Sequence, residues 1–194
     1  MKQIEAKRNT IIYGGAFNPP TRAHQAILQA CVDHAEAIGA DVWIMPSGSR
    51  TDKMIEKTRA DRLRMVEALC RDVVTRTVEL HIETCELDRD KPVETYDTVI
   101  ELGKMYDDKR FLWVFGSDSV ATMPEWHGGD WLQHNLSMLV IERPGSPLQD
   151  LDGDITELCV APTDVSSTEV RARLAANEPV DDLVGPEVLA CLKA

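Results

Sequence analysis

The chain has no apolar run of the roughly 18 residues that a membrane-spanning helix requires, and its start, Met1–Asn9, is polar with no apolar signal segment. The expectation is a soluble, unexported, cytoplasmic protein with no membrane partner. Positive charge is scarce: 21 Lys+Arg stand against 33 Asp+Glu, a formal net charge of −12 over 194 residues. The cationic surplus that neutralises a phosphate backbone is missing, so nucleic acid is not expected as a partner. No C-x-x-C pair occurs, and the five cysteines (Cys31, Cys70, Cys85, Cys159, Cys191) are odd in number and scattered. That pattern disfavours both a disulfide framework and a zinc site, and the thiols are read as reduced and mostly in the core. Neither G-x-x-x-x-G-K-[ST] nor G-x-G-x-x-G is present, so Walker-type phosphate transfer and the usual dehydrogenase fingerprint lose support.

What is present is an ordinary globular composition, 43% hydrophobic and 28% charged. Short β-rich runs alternate with stretches of helical period, the pattern of βαβ units. Strands are expected at Thr10–Tyr13, Asp41–Met45, Thr77–Ile82, Arg110–Phe115 and Ser137–Ile141, with a weaker one at Glu157–Val160. Helices are expected over Arg22–Ile38, Ala60–Asp72, Glu94–Tyr106, Asp130–His134, from Ser166 or Ser167 through Ala176, and over Pro186–Leu192. The fold expectation is one α/β domain over residues 1–194, a doubly wound, mostly parallel sheet of five or six strands flanked by helices. Residues 1–8 are read as a flexible lead-in, and residues 163–194 as a small C-terminal helical segment. Pro46–Thr58 is a polar, flexible loop after a strand, where open parallel sheets place ligands, and Asp150–Asp154 is a solvated acidic loop.

Two segments carry chemistry. After the first strand comes Gly14-Gly15-Ala16-Phe17-Asn18-Pro19-Pro20-Thr21-Arg22-Ala23-His24. The glycines admit close backbone approach, the prolines stiffen the entry, and Thr21 is placed to cap a helix whose first turn holds His24. A helix start attracts phosphate through free N–H groups and its dipole, and the same field keeps His24 neutral, as a hydrogen-bond donor. A plain capped helix with a half-buried histidine would read the same way. Near the C-terminus, Val165-Ser166-Ser167-Thr168-Glu169-Val170-Arg171 sets hydroxyls, free amides and an arginine one turn apart, a holder for a polyphosphate tail or, equally, a capping box.

Taken together, G-G-x-F-N-P-P-T-x-x-H and, about 140 residues later, V-S-S-T-x-V-R resemble the paired signatures of the H/T-x-G-H nucleotidyltransferase superfamily. Within it the resemblance is to the bacterial nicotinate (nicotinamide) mononucleotide adenylyltransferases. It runs through Thr95-Tyr96-Asp97-Thr98, Phe115-Gly116-Ser117-Asp118-Ser119, Met123-Pro124-Glu125-Trp126, Val140-Ile141-Glu142-Arg143-Pro144-Gly145 and Asp182–Leu189, spanning nearly the whole chain. The resemblance implies a Rossmann-like nucleotidyltransferase that moves an adenylyl group from ATP to nicotinic acid (or nicotinamide) mononucleotide, releasing pyrophosphate in NAD biosynthesis.

By the same resemblance, Thr21 and His24 would face the ATP phosphates, with Mg²⁺ bound along with ATP and no metal held by the protein alone. Arg171, Ser166 and Thr168 would hold the β- and γ-phosphates. Asp118 would bind ribose hydroxyls, and Gly14, Gly15 and Phe17 would bring backbone to the nucleotide. On the acceptor side, Trp126 would stack on the pyridine ring, Thr95 would orient it through its backbone, and Lys53 would reach a phosphate. Arg22, Lys53 and Arg171 would focus anionic substrates despite the net negative charge.

The departures are specific. Thr21 and Ala23 make a T-x-x-H form like that of pantetheine-phosphate and eukaryotic mononucleotide adenylyltransferases, and Pro46–Lys53 lacks the P-P-H-K run of bacterial nicotinate-specific enzymes. Another phosphate acceptor such as phosphopantetheine therefore stays open, as does a non-catalytic nucleotide sensor, and homo-oligomerisation is left undecided.

Overall fold

The computed structural model describes residues 7–48, 57–89, 91–92, 94–161 and 163–193. Six strands form one sheet: β1 (Arg8–Gly15), β2 (Asp41–Pro46), β3 (Leu80–Ile82), β4 (Lys109–Gly116), β5 (Ser137–Ile141) and β6 (Asp154–Glu157). Their order is β3-β2-β1-β4-β5-β6, and every pairing is parallel. Both faces are covered, as parallel sheets demand. Side chains alternate across the pleat, so Ile11, Tyr13, Val42, Ile44, Leu139 and Ile141 point to one face and Ile12, Trp43, Met45, Trp113, Met138 and Val140 to the other. The first face is covered by α1 (Arg22–Ile38), α2 (Arg59–Arg71), α6 (Ser167–Ala175) and α7 (Pro186–Lys193). The second is covered by α3 (Thr95–Met105), α4 (Ser117–Thr122) and α5 (Gly129–Asn135). Each fully buried Ile or Leu of these layers, Ile11, Ile12, Leu28 and Leu139 among them, contributes roughly 1.5–3 kcal/mol of transfer free energy.

Local chemistry sets the element ends. Gly39, at φ 66°, closes α1 in the left-handed region, with its N–H on the Ala35 carbonyl. Thr58 caps α2 by accepting from Asp61 N at 3.1 Å. Strand order reverses between β1 and β4, so the crevice of this sheet opens at their carboxyl ends.

Several expectations are corrected. Arg8 is not part of a loose lead-in, because it lies in β1 and its guanidinium meets Asp41 at 2.6 Å. The sixth strand sits three residues earlier than the apolar Leu158 and Val160 suggested, so Asp154 is a strand residue rather than loop. β3 starts at Leu80, not Thr77. Helix α4 and the 3-10 turns at Met123–Glu125 and Leu148–Asp150 were not anticipated; all three are too short for a helical period to register. Of the five free cysteines only Cys31 is buried; Cys70, Cys85 and Cys191 are half-buried and Cys159 is exposed. No helix among the described residues is long and apolar enough to cross a membrane.

Candidate active site

The turn after β1 brings the chain to the crevice. Phe17 holds a φ of 46°, a backbone state that costs a bulky residue about 1–3 kcal/mol. Complete burial of its ring offsets that cost: the ring packs edge-on between Tyr13, at 5.4 Å, and His24, at 5.3 Å. A Cβ on Gly15 would stand 3.0 Å from the Phe17 ring, so the second glycine is what lets this plug seat. Phe17 thus supports the turn from beneath, with its ring away from the cavity.

His24 occupies the third position of α1, where a capping box ordinarily has Glu or Gln. Its Nδ1 accepts from the Thr21 backbone N–H at 3.0 Å and lies 2.8 Å from the Thr21 hydroxyl. An Nδ1 that accepts leaves the proton of the neutral ring on Nε2. Thr21 itself is buried, so it orients the imidazole from behind. Burial first, and the positive charge of Arg143 second, push the His24 pKa down from 6.5 to about 4. The ring is therefore neutral at pH 7, as expected, with desolvation as the main cause and the nearby Arg143 cation as the second.

Because the folded value lies below 6.5, the unfolded chain takes up this proton first as pH falls. The stabilisation from a neutral His24 is complete above about pH 6.5 and is lost between there and about pH 4. In a ligand-free NMR titration His24 is expected to stay neutral down to about pH 4 with the proton on Nε2; a midpoint above 6 would overturn the assignment.

His24, Gly14 and Gly15 line a cavity of about 380 Å³, together with Thr95, Trp126, Phe115, Gly116, Ser119, Glu86 and Arg143. Gly14 and Gly15 come from the end of β1, Thr95 from the first residue of α3, and Trp126 from the close of the Met123–Glu125 turn, its ring 6.2 Å from Phe115. A second cavity of about 630 Å³ adjoins it, sharing Ile27, Ile141 and Arg143 and extending to Pro144, Val160 and Asp164. Asp118 is not among the residues lining either cavity, but its carboxylate stands beside Gly116 of the first one, where a Cβ on Gly116 would meet both it and the Arg143 guanidinium.

The C-terminal motif reaches the same loop from across the chain. Arg171 donates to the Asn18 carbonyl at 2.8 Å and to Thr168 Oγ1 at 3.0 Å, and Ser167 Oγ donates to the Pro19 carbonyl at 2.8 Å. Ser166 is the cap of α6, accepting from Glu169 N at 3.2 Å. Arg22 turns away, its guanidinium on the carbonyls of Asp181 and Asp182. Lys53 lies outside the described residues. The sequence reading gave no role to Arg143, Glu86, Ser47 or Arg62. Arg143 stood in the Arg143-Pro144-Gly145 segment and Ser47 in the loop after β2, and Arg62 carried a signal of its own: it precedes Met65 and Val66 by three and four residues, a charge on the buried stripe of α2.

The family model described as cytidylyltransferase-like matches residues 12–173. A probable nicotinate-nucleotide adenylyltransferase of Geobacillus thermodenitrificans is 32% identical over 175 residues, covering 89% of this chain and 78% of the relative. The nicotinate-nucleotide adenylyltransferase of Bacillus subtilis is 28% identical over 186 residues, 91% of each chain. Among solved structures, Plasmodium falciparum nicotinic acid mononucleotide adenylyltransferase complexed with NaAD superposes with a TM-score of 0.78 at 19% identity. That match covers 96% of this chain and 95% of the other, a likeness of fold. With the family model spanning most of its length and a relative of 32% identity aligned along nearly all of it, the chain belongs to the cytidylyltransferase-like family, among its nicotinate-nucleotide adenylyltransferases.

Proposed function

We propose that the chain transfers the adenylyl group of ATP to the phosphate of nicotinic acid mononucleotide, giving the dinucleotide and pyrophosphate in NAD biosynthesis. The observation that carries the reading is the oriented neutral His24 beside Arg143 in a cavity that also presents Trp126 and the first residue of α3. An acceptor phosphate oxygen attacks the α-phosphorus in line, and the bond from that phosphorus to the bridging oxygen of pyrophosphate breaks. Such a transfer needs positioning and charge neutralisation more than a protein nucleophile.

His24 Nε2–H donates to an α-phosphate oxygen as its charge grows, while Arg143, lining the same cavity, supplies positive potential. Thr21 acts through His24. Gly14 and Gly15 admit the nucleotide to the backbone, with Phe17 as their support, and Asp118 accepts from ribose hydroxyls. Ser166, Thr168 and Arg171 meet the β- and γ-phosphates at the start of α6. Trp126 stacks on the pyridine ring, the α3 N-terminus at Thr95 faces its carboxylate, and Lys53 reaches toward a phosphate. Among the described residues no group of three His, Cys, Asp or Glu side chains stands close enough to hold a metal. The residues fit Mg²⁺ carried in by the triphosphate, where it would neutralise charge on phosphate oxygens. We infer a cytoplasmic setting, and one domain closed by residues 163–194.

Pyrophosphate release from ATP and Mg²⁺ tests the reading with nicotinic acid mononucleotide, nicotinamide mononucleotide and phosphopantetheine at matched concentrations. Preference for nicotinic acid mononucleotide is expected. Turnover with phosphopantetheine alone would keep the chemistry and remove Trp126 from it, and ATP binding without turnover on any acceptor would make the protein a sensor.

A further inference from the structure

At the cavity wall stand two buried side chains of opposite charge, Arg62 and Glu86, that the adenylyl transfer does not use directly. Arg62 of α2 is 3% exposed, and its Nη2 donates to the Ala16 carbonyl at 2.9 Å and to the Ser47 carbonyl. Glu86 is 9% exposed, and its carboxylate accepts from Thr98 Oγ1 at 2.8 Å and from Gly48 N at 3.4 Å. The Ser47 carbonyl and the Gly48 N–H belong to one peptide group, so a guanidinium grips one side of that plane and a carboxylate the other. A Cβ on Gly48 would overlap the Glu86 backbone carbonyl, so this close approach requires glycine. Both Ser47 and Glu86 line the 380 Å³ cavity on the side of Thr95. Among the described residues, buried Arg62 Nε has no hydrogen-bond partner, and burial lowers the Arg62 pKa while the negative charge of Glu86 raises it.

We propose that Arg62 and Glu86 are a positioning pair that locks the Ser47–Gly48 peptide in the acceptor wall and cancels each other's charge there, so that the wall stays neutral toward an anionic mononucleotide. The assignment rests on the proposed function. A lone Glu86 carboxylate would repel an acceptor that carries both a phosphate and a pyridine carboxylate. A lone Arg62 would attract it.

The test is steady-state kinetics of Arg62→Met and Glu86→Gln with nicotinic acid and nicotinamide mononucleotides, each variant paired with its Tm. Both substitutions are expected to lower Tm, but KM for the nicotinate acceptor moves in opposite directions. It rises about tenfold in Arg62→Met and falls about threefold in Glu86→Gln, with smaller shifts for the amide and for ATP. A purely structural role would raise KM in both variants, and that result, or no change in either, overturns the proposal. If Arg62→Met does not fold, the isosteric Glu86→Gln decides alone: a raised KM refutes the charge balance. A wild-type protein inactive on both pyridine nucleotides would overturn the proposed function itself, and the pair's role with it.

Discussion

Replacing His24 by alanine is expected to lower kcat by about 10² to 10³ while ATP binding changes only a few-fold, the loss seen when one preorganised donor to a developing oxyanion is removed. Nδ1 is committed to the Thr21 N–H, so the ring meets the cavity as an Nε2–H donor that needs no reorientation. In the proposed reading, ground-state ATP would be held over a wider surface, by the glycine turn, the start of α6 and Arg143, so its binding should survive the loss of one donor. Pyrophosphate release and calorimetric ATP titration on the same preparation measure the split. A kcat within tenfold of the parent would remove His24 from the chemistry, whereas weakened ATP binding with kcat kept would recast it as a binding residue. Thr21→Val, which leaves the backbone N–H in place, is expected to cost much less.

Gly129→Ala should cost about 3 kcal/mol or more, or roughly 10 °C in Tm for a domain of this length. The added Cβ would overlap the Met123 carbonyl oxygen, which already accepts from Trp126 N at 2.9 Å, while Gly129 N donates to the Trp126 carbonyl at 2.9 Å. Backbone on both sides leaves no flexible side chain to yield. The turn carrying Pro124, Glu125 and Trp126 must move, so acceptor KM should rise along with the loss of stability. Gly103→Ala is the matched control. It lies within α3, a Cβ there meets nothing within 4 Å, and the exchange should stabilise by about 0.5–1 kcal/mol. Equal Tm values for the two variants would refute the crowding argument.

The parts of the molecule readable from sequence are those whose physics is local. The bounds of α1 and β5 coincide with the apolar periodicity and end signals at Arg22–Ile38 and Ser137–Ile141. β6 was misplaced because an edge strand with one half-buried side chain, Ile155, has almost no alternation to detect. In the candidate site, Gly14, Gly15, His24, Thr95 and Trp126 do line one cavity. Arg171 meets the loop after β1 from the far end of the chain, with Thr168 Oγ1 accepting from its guanidinium. The burial of the Phe17 ring against Tyr13 and His24, and of Thr21 behind the imidazole, is encoded by no local pattern and needs coordinates. Glu86 gave no sign at all: its partners Gly48 and Thr98 stand 38 and 12 residues away, and no periodicity joins them.

The stitching of α6 to the first loop bears on how the protein is made. Asn18 and Arg171 are separated by 153 residues, Pro19 and Ser167 by 148, and Arg22 N reaches the carbonyl of Leu183. The glycine turn and His24 leave the ribosome well before the groups of α6 that meet this loop. A nascent chain, or one cut short before residue 167, has the histidine without its opposing clamp. Docking of α6 on this loop therefore waits for residues 167–171, and contacts of such long range form slowly compared with the individual helices.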